Sequence, residues 1–349
     1  MSKKLKKALR GMPLHLQKVE GIKFGETSLD YLCVNVPPLC NYHCEKCFTW
    51  AGRKKLKKFI GIPKIKEIIN KGKEMGVKTV AILGEGEPLL FPGTKEIIAH
   101  VHKLNMIPLI ATNGSLLTKK MVDFLYIHGT SIALSLDTLD EKEYKEFCGG
   151  AANINVIKKN LEYTRKVFSR DIFKKNGYKV YRLAIHMTVT AKNYRNLEII
   201  RKFCGNDIYF SCEHIAMVGV ANENTDIYGG KKNLEKYKKV VRKTREIMDP
   251  MVMTQTDCGA DTCCFYYYGF AVGYEGEIML DTHALETKGI IGNIKKDTIE
   301  NLVKKSKKIK NAYYNERGGH YCIIRDPGYR NFIKFLNGKE TKKIGKTRC

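Results

Sequence analysis

The chain has 349 residues, of which 43% are hydrophobic, and this is enough for one large globular domain with a sizeable core and one smaller domain. No apolar run approaches the roughly 20 residues that would cross a bilayer. The basic start, MSKKLKKALR, has no apolar core of a secretory signal behind it, so we expect a soluble, cytoplasmic protein with no membrane partner. The formal net charge of +26 allows a nucleic-acid partner, but the excess is mostly lysine spread along helix faces, so this alternative is not favoured.

Strand-like and helix-like stretches alternate after the basic arm. The predicted strands are Tyr31 to Val36, Val77 to Leu83, Ile107 to Ala111, Ser131 to Leu136, Val180 to Val189 and Asp207 to Cys212. The predicted helices are Pro63 to Met75, Thr94 to Leu104, Thr118 to Ile127, Ile154 to Phe168 and Leu197 to Phe203. Six strand-then-helix units predict an α/β fold with a parallel sheet, either open or curled into a partial barrel, and with ligands at the carboxyl ends of the strands.

Composition divides the chain further. Residues 1–24 form a basic, helix-like N-terminal arm, 25–230 the core, and 231–250 a charged linking helix that ends at an Asp-Pro pair. Residues 251–336 are dense in Cys, Tyr and Gly, which predicts a small domain organised around ligation rather than around a large core. Residues 337–349 are a basic tail.

Three of the twelve cysteines, Cys40, Cys44 and Cys47, stand in the segment CNYHCEKCF directly after the first predicted strand. In a reducing compartment so many cysteines indicate metal or cluster binding rather than a disulfide framework. Three thiolates are one ligand short of a closed site, and a [4Fe–4S] cluster held in this way leaves one iron open for a small molecule. His43 could instead close a structural zinc site, and this alternative stays open.

Three further motifs end the next predicted strands. They are GEGEP at 84–88, ATNG with Asn113, and SLD with Ser135 and Asp137. Each alone could be a tight turn or a helix cap. Together with the cysteine spacing they resemble the radical SAM superfamily, in which three such cysteines bind a [4Fe–4S] cluster and S-adenosylmethionine (SAM) caps its fourth iron.

The resemblance implies roles for five of these residues. Gly86 and Glu87 match the family's GGEP segment, whose backbone and acid hold the SAM amino group. Asn113, Ser135 and Asp137 stand where related enzymes contact the ribose or the methionine carboxylate of SAM. The implied fold is a partial TIM-type (β/α)6 barrel followed by a small C-terminal α+β cluster-binding domain.

One position departs from the family pattern. Related enzymes usually place an aromatic residue just before the third cysteine, where it packs on adenine, and this chain has Lys46 there. Phe48 or Trp50 would then have to supply the adenine contact.

The C-terminal region resembles a twitch or SPASM domain. Cys258 and Cys264 are followed by Gly276 and then by Asp281, which stands where the family pattern has a cysteine, and Cys322 would supply the closing ligand. The resemblance implies a second [4Fe–4S] cluster with a carboxylate ligand or an open iron. The alternative is a domain that has lost its cluster.

Two other cysteines, Cys148 and Cys212, fall near the ends of strand-helix units and are candidates to donate a hydrogen atom to a substrate radical. The resemblance implies cleavage of SAM to a 5′-deoxyadenosyl radical, with electrons from a carrier such as flavodoxin or ferredoxin. That radical would take a hydrogen atom from a peptide or small-metabolite substrate, for oxidation, bond formation or epimerisation. Nucleic-acid modification and a non-catalytic zinc-binding interaction protein are the alternatives.

Overall fold

A computed structural model describes residues 5–12, 15–16, 19–21, 29–216, 218–227, 269–280 and 289–317, together with Glu235 and Lys239. The predicted linking helix lies almost entirely outside these residues, and the basic tail lies wholly outside them. Cys258, Cys264, Asp281 and Cys322 also lie outside the described residues.

The described part of the chain is built on two sheets. Its strands are β1 (Lys6–Leu9), β2 (Tyr31–Val36), β3 (Thr79–Gly84), β4 (Ile107–Thr112), β5 (Ser131–Ser135), β6 (Phe173–Lys175), β7 (Tyr178–Tyr181), β8 (Leu183–Val189), β9 (Tyr209–His214), β10 (Gly269–Val272), β11 (Glu277–Met279) and β12 (Ile290–Asn293). Its helices are α1 (Ile62–Glu74), α2 (Thr94–Lys103), α3 (Lys119–Ile127), α4 (Glu141–Cys148), α5 (Ile154–Phe168), α6 (Leu197–Cys204), α7 (Val220–Glu223) and α8 (Ile299–Arg317).

The larger sheet has nine strands in the order β12-β11-β10-β2-β3-β4-β5-β8-β9. All pairs from β10 to β9 are parallel, while β10, β11 and β12 pair antiparallel. Adjacent parallel strands can be joined only by a long crossover connection, and helices form these connections between the central strands. This confirms the α/β prediction of a parallel sheet with helices outside, and the strands that the structure describes do not close into a barrel.

Alternate strand residues divide the core into two parts. Leu32, Val34 and Ile82 belong to the large apolar cluster that also contains the helix residues, so they face the helices. Cys33 and Ala81 belong to a smaller cluster on the opposite side, which we call the inner face of the sheet. The period of two along each strand therefore fixes which side chains point inward.

Two expectations for the chain near its N-terminus and before β8 were wrong. The predicted strand Val180 to Val189 is interrupted at Arg182, so β7 leaves the main sheet and forms a three-stranded sheet with β6 and β1. The arm predicted to be helix-like contributes β1, which pairs parallel with β7. An Asn176–Gly177 turn with φ of 47° and 79° joins β6 to β7, because both positions of this hairpin turn need positive φ.

The C-terminal strands join the core. β10 pairs parallel with β2, so β10, β11 and β12 extend the same sheet as the strands that precede the predicted ligand-binding motifs. α8 packs on the helix-covered side through Leu302 and Val303. Among the described residues, no helix combines the length and the apolar character that a membrane crossing requires.

Candidate cofactor site

The loop after β2, residues 37–52, carries the three cysteines and is called the cluster loop below. Its ends are drawn together because Gly52 N–H donates to the Pro38 carbonyl at 2.8 Å. Cys47 N–H donates to the Cys44 carbonyl at 3.2 Å, which closes a tight turn between the second and third cysteines. All three cysteines are half-buried, and none of them forms a disulfide bond.

The cysteine thiols influence one another. Burial raises the pKa of Cys40 to about 12; the Tyr42 backbone N–H opposes this rise, and the charges of the two other loop cysteines add to it. Three thiolates on one short loop would repel one another, and binding to cationic iron would relieve that repulsion. The donor set therefore fits a [4Fe–4S] cluster, which takes one thiolate on each of three irons. Within the described ranges, no three His, Cys, Asp or Glu side chains are grouped as ligands of one metal ion.

The cluster loop docks on the end of α4. His43 N–H donates to the Cys148 carbonyl at 2.8 Å, and Glu45 N–H donates to the Phe147 carbonyl at 3.1 Å. The pKa of Cys44 is raised mainly by a hydrogen bond with the Cys148 thiol and, to a smaller extent, by burial. Cys148 thus lies against a predicted cluster ligand, while His43 itself is exposed.

The GEGEP turn after β3 lies directly on the start of the cluster loop. A β-carbon at Gly86 would stand 2.1 Å from the Leu39 carbonyl oxygen, so only glycine allows this approach. Glu87 N–H donates to the same carbonyl at 2.7 Å. The contact explains why the turn needs its second glycine: the backbone on which Cys40 begins occupies that space.

Glu87 is buried and ties this turn to the end of β4. Its carboxylate accepts hydrogen bonds from Thr112 Oγ1 at 2.7 Å, from Asn113 N–H at 2.7 Å and from Leu89 N–H at 3.1 Å. Burial raises the pKa of Glu87, and these three hydrogen bonds oppose the rise. Its carboxylate therefore holds the GEGEP turn against the end of β4, in addition to the contact with SAM that the family resemblance implies.

Asn113 connects β4 to the cluster loop through a residue that sequence reasoning missed. The Asn113 side-chain amide donates to Asn41 Oδ1 at 3.0 Å, and the Asn41 amide donates to Ser115 Oγ at 3.0 Å. Asn41 stands between the first two cysteines, but its partners are more than 70 residues away. No local sequence signal distinguishes it from an ordinary turn asparagine.

Lys46, the departure from the family pattern, makes the corresponding connection to β5. Its ammonium donates to Ser135 Oγ at 3.1 Å and forms an ion pair with Asp137, whose other oxygen accepts Thr188 N–H at 3.0 Å. The side chains of Lys46 and Asp137 are 12% and 3% exposed. Burial alone would lower the pKa of Lys46, but the interaction with Asp137 and smaller contributions from Cys148 and Cys44 outweigh it, so the pKa is raised.

Two other predicted site residues have different surroundings. Phe48 is half-buried. Its backbone lies against Gly219, which follows β9: a β-carbon on Gly219 would stand 2.4 Å from the Phe48 carbonyl oxygen. Cys212 pairs with Met187 in the sheet and belongs to the helix-facing core cluster, not to the inner face. This placement gives no support to Cys212 as a hydrogen-atom donor.

A polar patch lies on the inner face at the ends of β8 and β9. His186 is the register partner of Ser135, and a hydrogen bond of 2.9 Å joins its Nδ1 to Ser211 Oγ. Its Nε2 lies 3.4 Å from the carboxylate of Glu213. These side chains are about one-third exposed, so they form an accessible polar wall next to the residues predicted to bind SAM.

Part of the chain matches a known protein family. The sequence model of the Radical SAM superfamily matches residues 34–179, which include the cluster loop and the three motifs. A probable GTP 3′,8-cyclase from Methanococcus maripaludis is 32% identical over 130 residues, which are 37% of this chain and 43% of that protein. A GTP 3′,8-cyclase from Alkaliphilus metalliredigens is 32% identical over 129 residues, 36% of this chain and 40% of that protein. The matched stretch thus spans less than half of these curated relatives.

Solved structures share the fold. Streptococcus suis SuiB bound to S-adenosylmethionine superposes with a TM-score of 0.59 at 20% identity, over 79% of this chain and 65% of that chain. The native anSMEcpe structure with bound AdoMet gives a TM-score of 0.57 at 16% identity, over 79% and 81% of the two chains. The superfamily uses a [4Fe–4S] cluster and SAM, and the cluster loop and the three motifs stand in one matched segment. Residues 34–179 therefore match the radical SAM superfamily, as the motifs in that segment predicted.

Proposed function

We propose that the protein is a radical SAM enzyme that cleaves SAM reductively and removes a hydrogen atom from a peptide or small-metabolite substrate. One observation carries this proposal: direct hydrogen bonds or ion pairs join the cluster loop to the ends of β3, β4 and β5 through Leu39, Asn41 and Lys46. The residues predicted to hold SAM are therefore bonded directly to the loop that carries the predicted cluster ligands.

The chain's own residues would act by binding and orientation. Cys40, Cys44 and Cys47 would hold the cluster, and Glu87 and Asp137 would present carboxylate oxygens toward SAM. When bound, the cluster and SAM supply the radical chemistry of the reaction, which protein side chains alone could not perform. The protein supplies a fixed geometry, because hydrogen-bonded loops lose little further freedom when ligands bind.

The substrate class rests on two kinds of relative. The relatives that match in sequence are named GTP 3′,8-cyclases, which supports a small metabolite, while SuiB and anSMEcpe, for which peptide-bound structures exist, share only the fold. The polar wall of His186, Ser211 and Glu213 favours a substrate with hydrogen-bonding groups. We expect His186→Gln to alter the KM for substrate more than it alters SAM cleavage without substrate.

The proposal is tested by anaerobic reconstitution with iron and sulfide, followed by electron paramagnetic resonance of the reduced protein. Addition of SAM should change the cluster signal, because SAM would ligate the open iron. Glu87→Gln keeps one side-chain oxygen that can accept from Thr112 Oγ1 and Leu89 N–H, so the variant should retain iron. Its SAM affinity should fall about ten-fold, if a charge-assisted hydrogen bond worth ~1.5 kcal/mol is lost. An unaltered signal on addition of SAM to the wild type would contradict the proposed function.

A further inference from the structure

A strongly basic, exposed segment follows the cluster loop directly. Residues 53–58 read RKKLKK, five cations in six positions with no acid, and we call them the basic loop. We propose that the basic loop is the docking surface for an acidic electron-carrier protein that delivers electrons to the site at Cys40, Cys44 and Cys47. The inference rests on the proposed function, because it names the partner of that same site.

The basic loop is attached to the cluster loop by a hydrogen bond. Arg53 Nη2 donates to the His43 carbonyl at 2.7 Å, inside the segment that carries the cysteines. A β-carbon at Gly52, where φ is +71°, would stand 2.8 Å from the Cys40 carbonyl oxygen. A protein seated on the basic loop would therefore lie next to the cluster ligands, and electron transfer requires such proximity.

Some cations of the basic loop already have partners. Lys57 pairs with Glu275 at 3.0 Å, and Lys54 lies over the Trp50 ring with Glu85 at 3.9 Å. Lys55 and Lys58 are exposed and form no ion pair with any residue that the structure describes. These two ammonium groups can pair with a partner's carboxylates without first breaking an internal ion pair.

A hollow of about 500 Å³ begins at Lys58. Phe59, Ile60 and Ile294 contribute its apolar lining, and its cationic lining comes from Lys58, Lys64 and Lys295. Leu56, which is 52% exposed, adds an apolar side chain on the basic loop itself. Apolar contact surrounded by charge is the usual composition of a protein–protein interface.

These features favour an acidic protein over a nucleic acid. The exposed apolar side chain of the basic loop itself is the aliphatic Leu56, which cannot stack on a base as the aromatic side chains of single-strand binding sites do. Electrostatic complementarity raises the association rate of proteins, which suits a carrier that must bind and leave once per electron. In each encounter the reduced carrier loses one electron, the cluster gains it, and no atom is transferred.

The test uses the reconstituted holoenzyme and an acidic flavodoxin as probe. The double variant Lys55→Glu/Lys58→Glu should raise the Kd for flavodoxin, and should lower flavodoxin-driven SAM cleavage about ten-fold or more at low salt, as loss of steering predicts. Cleavage driven by dithionite, a small reductant, should stay at the wild-type rate. The matched control is Lys158→Glu/Lys159→Glu on the exposed side of α5, which changes the net charge equally.

Each result decides the inference. Wild-type flavodoxin affinity and wild-type flavodoxin-driven rate in the basic-loop variant would overturn it, as would a loss of transfer-RNA binding with unchanged flavodoxin binding. An equal defect in the α5 control would also overturn it, because net charge alone would then explain the effect. If the wild type cleaves no SAM with dithionite, the proposed function fails, and the flavodoxin Kd still decides the docking surface.

Discussion

Lys46 and Asp137 form the most deeply buried ion pair of the site, and the first prediction concerns them. Lys46→Met leaves the carboxylate of Asp137 buried with Thr188 N–H and no cation, so the free energy of unfolding should fall by about 3 kcal/mol. Anaerobic chemical unfolding of the purified variant against the wild type measures this change.

A double variant separates loss of the pair from loss of one side chain. Lys46→Met/Asp137→Asn removes both charges and should lose less stability than the sum of the single variants, by roughly 0.5–3 kcal/mol of coupling. Strict additivity would contradict the account of Lys46 as the partner of Asp137.

Glu85 gives a pH-dependent prediction. Burial raises the pKa of Glu85 from 4.5 to about 7; Lys54 opposes the rise, Glu277 and Glu275 add to it, and Lys57 opposes it. Because the folded state binds this proton more tightly than the unfolded state does, the contribution of Glu85 to stability is full below pH 4.5 and is lost as the pH rises through about 7.

Glu85→Gln removes this titration. The variant should gain stability over the wild type as the pH goes from 5 to 8, on the order of 2 kcal/mol at the upper end. The measurement is the unfolding midpoint across that pH range, with Glu146→Gln on the exposed side of α4 as the control for net charge. A stability difference that does not vary with pH would contradict the burial of an ionisable Glu85.

At this scale the sequence predicted the residue types but not their partners. The motifs predict Ser135 and Asp137 near SAM, whereas Lys46 stands out in the sequence only as a departure from the family pattern. Their ion pair and hydrogen bond join positions about 90 residues apart, and no local pattern reports such a contact.

Among the contacts between elements, the one between the GEGEP turn and the cluster loop supports the predicted cofactor site most directly. Gly86→Ala would drive a β-carbon into the Leu39 carbonyl oxygen and break the hydrogen bond from Glu87 N–H. We expect a loss of about 2 kcal/mol or more in stability and a fall in iron content after reconstitution.

Gly72 offers a matched control inside α1. A β-carbon there would meet Val77 at 3.4 Å and Leu32 at 3.5 Å, which are ordinary contacts, so Gly72→Ala should stabilise the helix by about 0.5–1 kcal/mol. Unfolding midpoints and iron content of the two variants check both expectations. Full iron content in Gly86→Ala would show that the turn does not support the cluster loop.

Elements with strong periodicity were predicted well, and those with long-range causes were not. The helix from Ile154 to Phe168 and the strand from Tyr31 to Val36 have the expected bounds. Val180 to Val189 was predicted as one strand, because its apolar run hides the break at Arg182. That guanidinium donates to the Thr130 and Tyr126 carbonyls and pairs with Asp171, so the chain changes sheets there for tertiary reasons.

On the scale of the whole molecule, the second cluster stays a prediction. If Cys258, Cys264 and Cys322 hold it with Asp281 facing the fourth iron, reconstituted wild type should contain about eight irons, counting four per cluster. Replacing the three cysteines by Ala should lower the count to about four and spare SAM cleavage. Iron analysis decides this, and about four irons in fully reconstituted wild type would exclude a mechanism that uses a second cluster.

Composition alone indicated a separate C-terminal unit, since residues after 251 change to Cys, Tyr and Gly. The structure adds β10, β11 and β12 to the core sheet next to β2. Sequence patterns could not predict this pairing, because a short buried strand such as GFAV carries no information about which strand lies beside it.

The central claim is that Cys40, Cys44 and Cys47 support reductive cleavage of SAM. The most direct measurement is the yield of 5′-deoxyadenosine from reconstituted protein, SAM and dithionite, compared with a variant in which these three cysteines are Ala and with Cys204→Ala as a control in the core. We predict product from the wild type and from the control, and none from the triple variant. Undiminished 5′-deoxyadenosine from the triple variant would contradict the account.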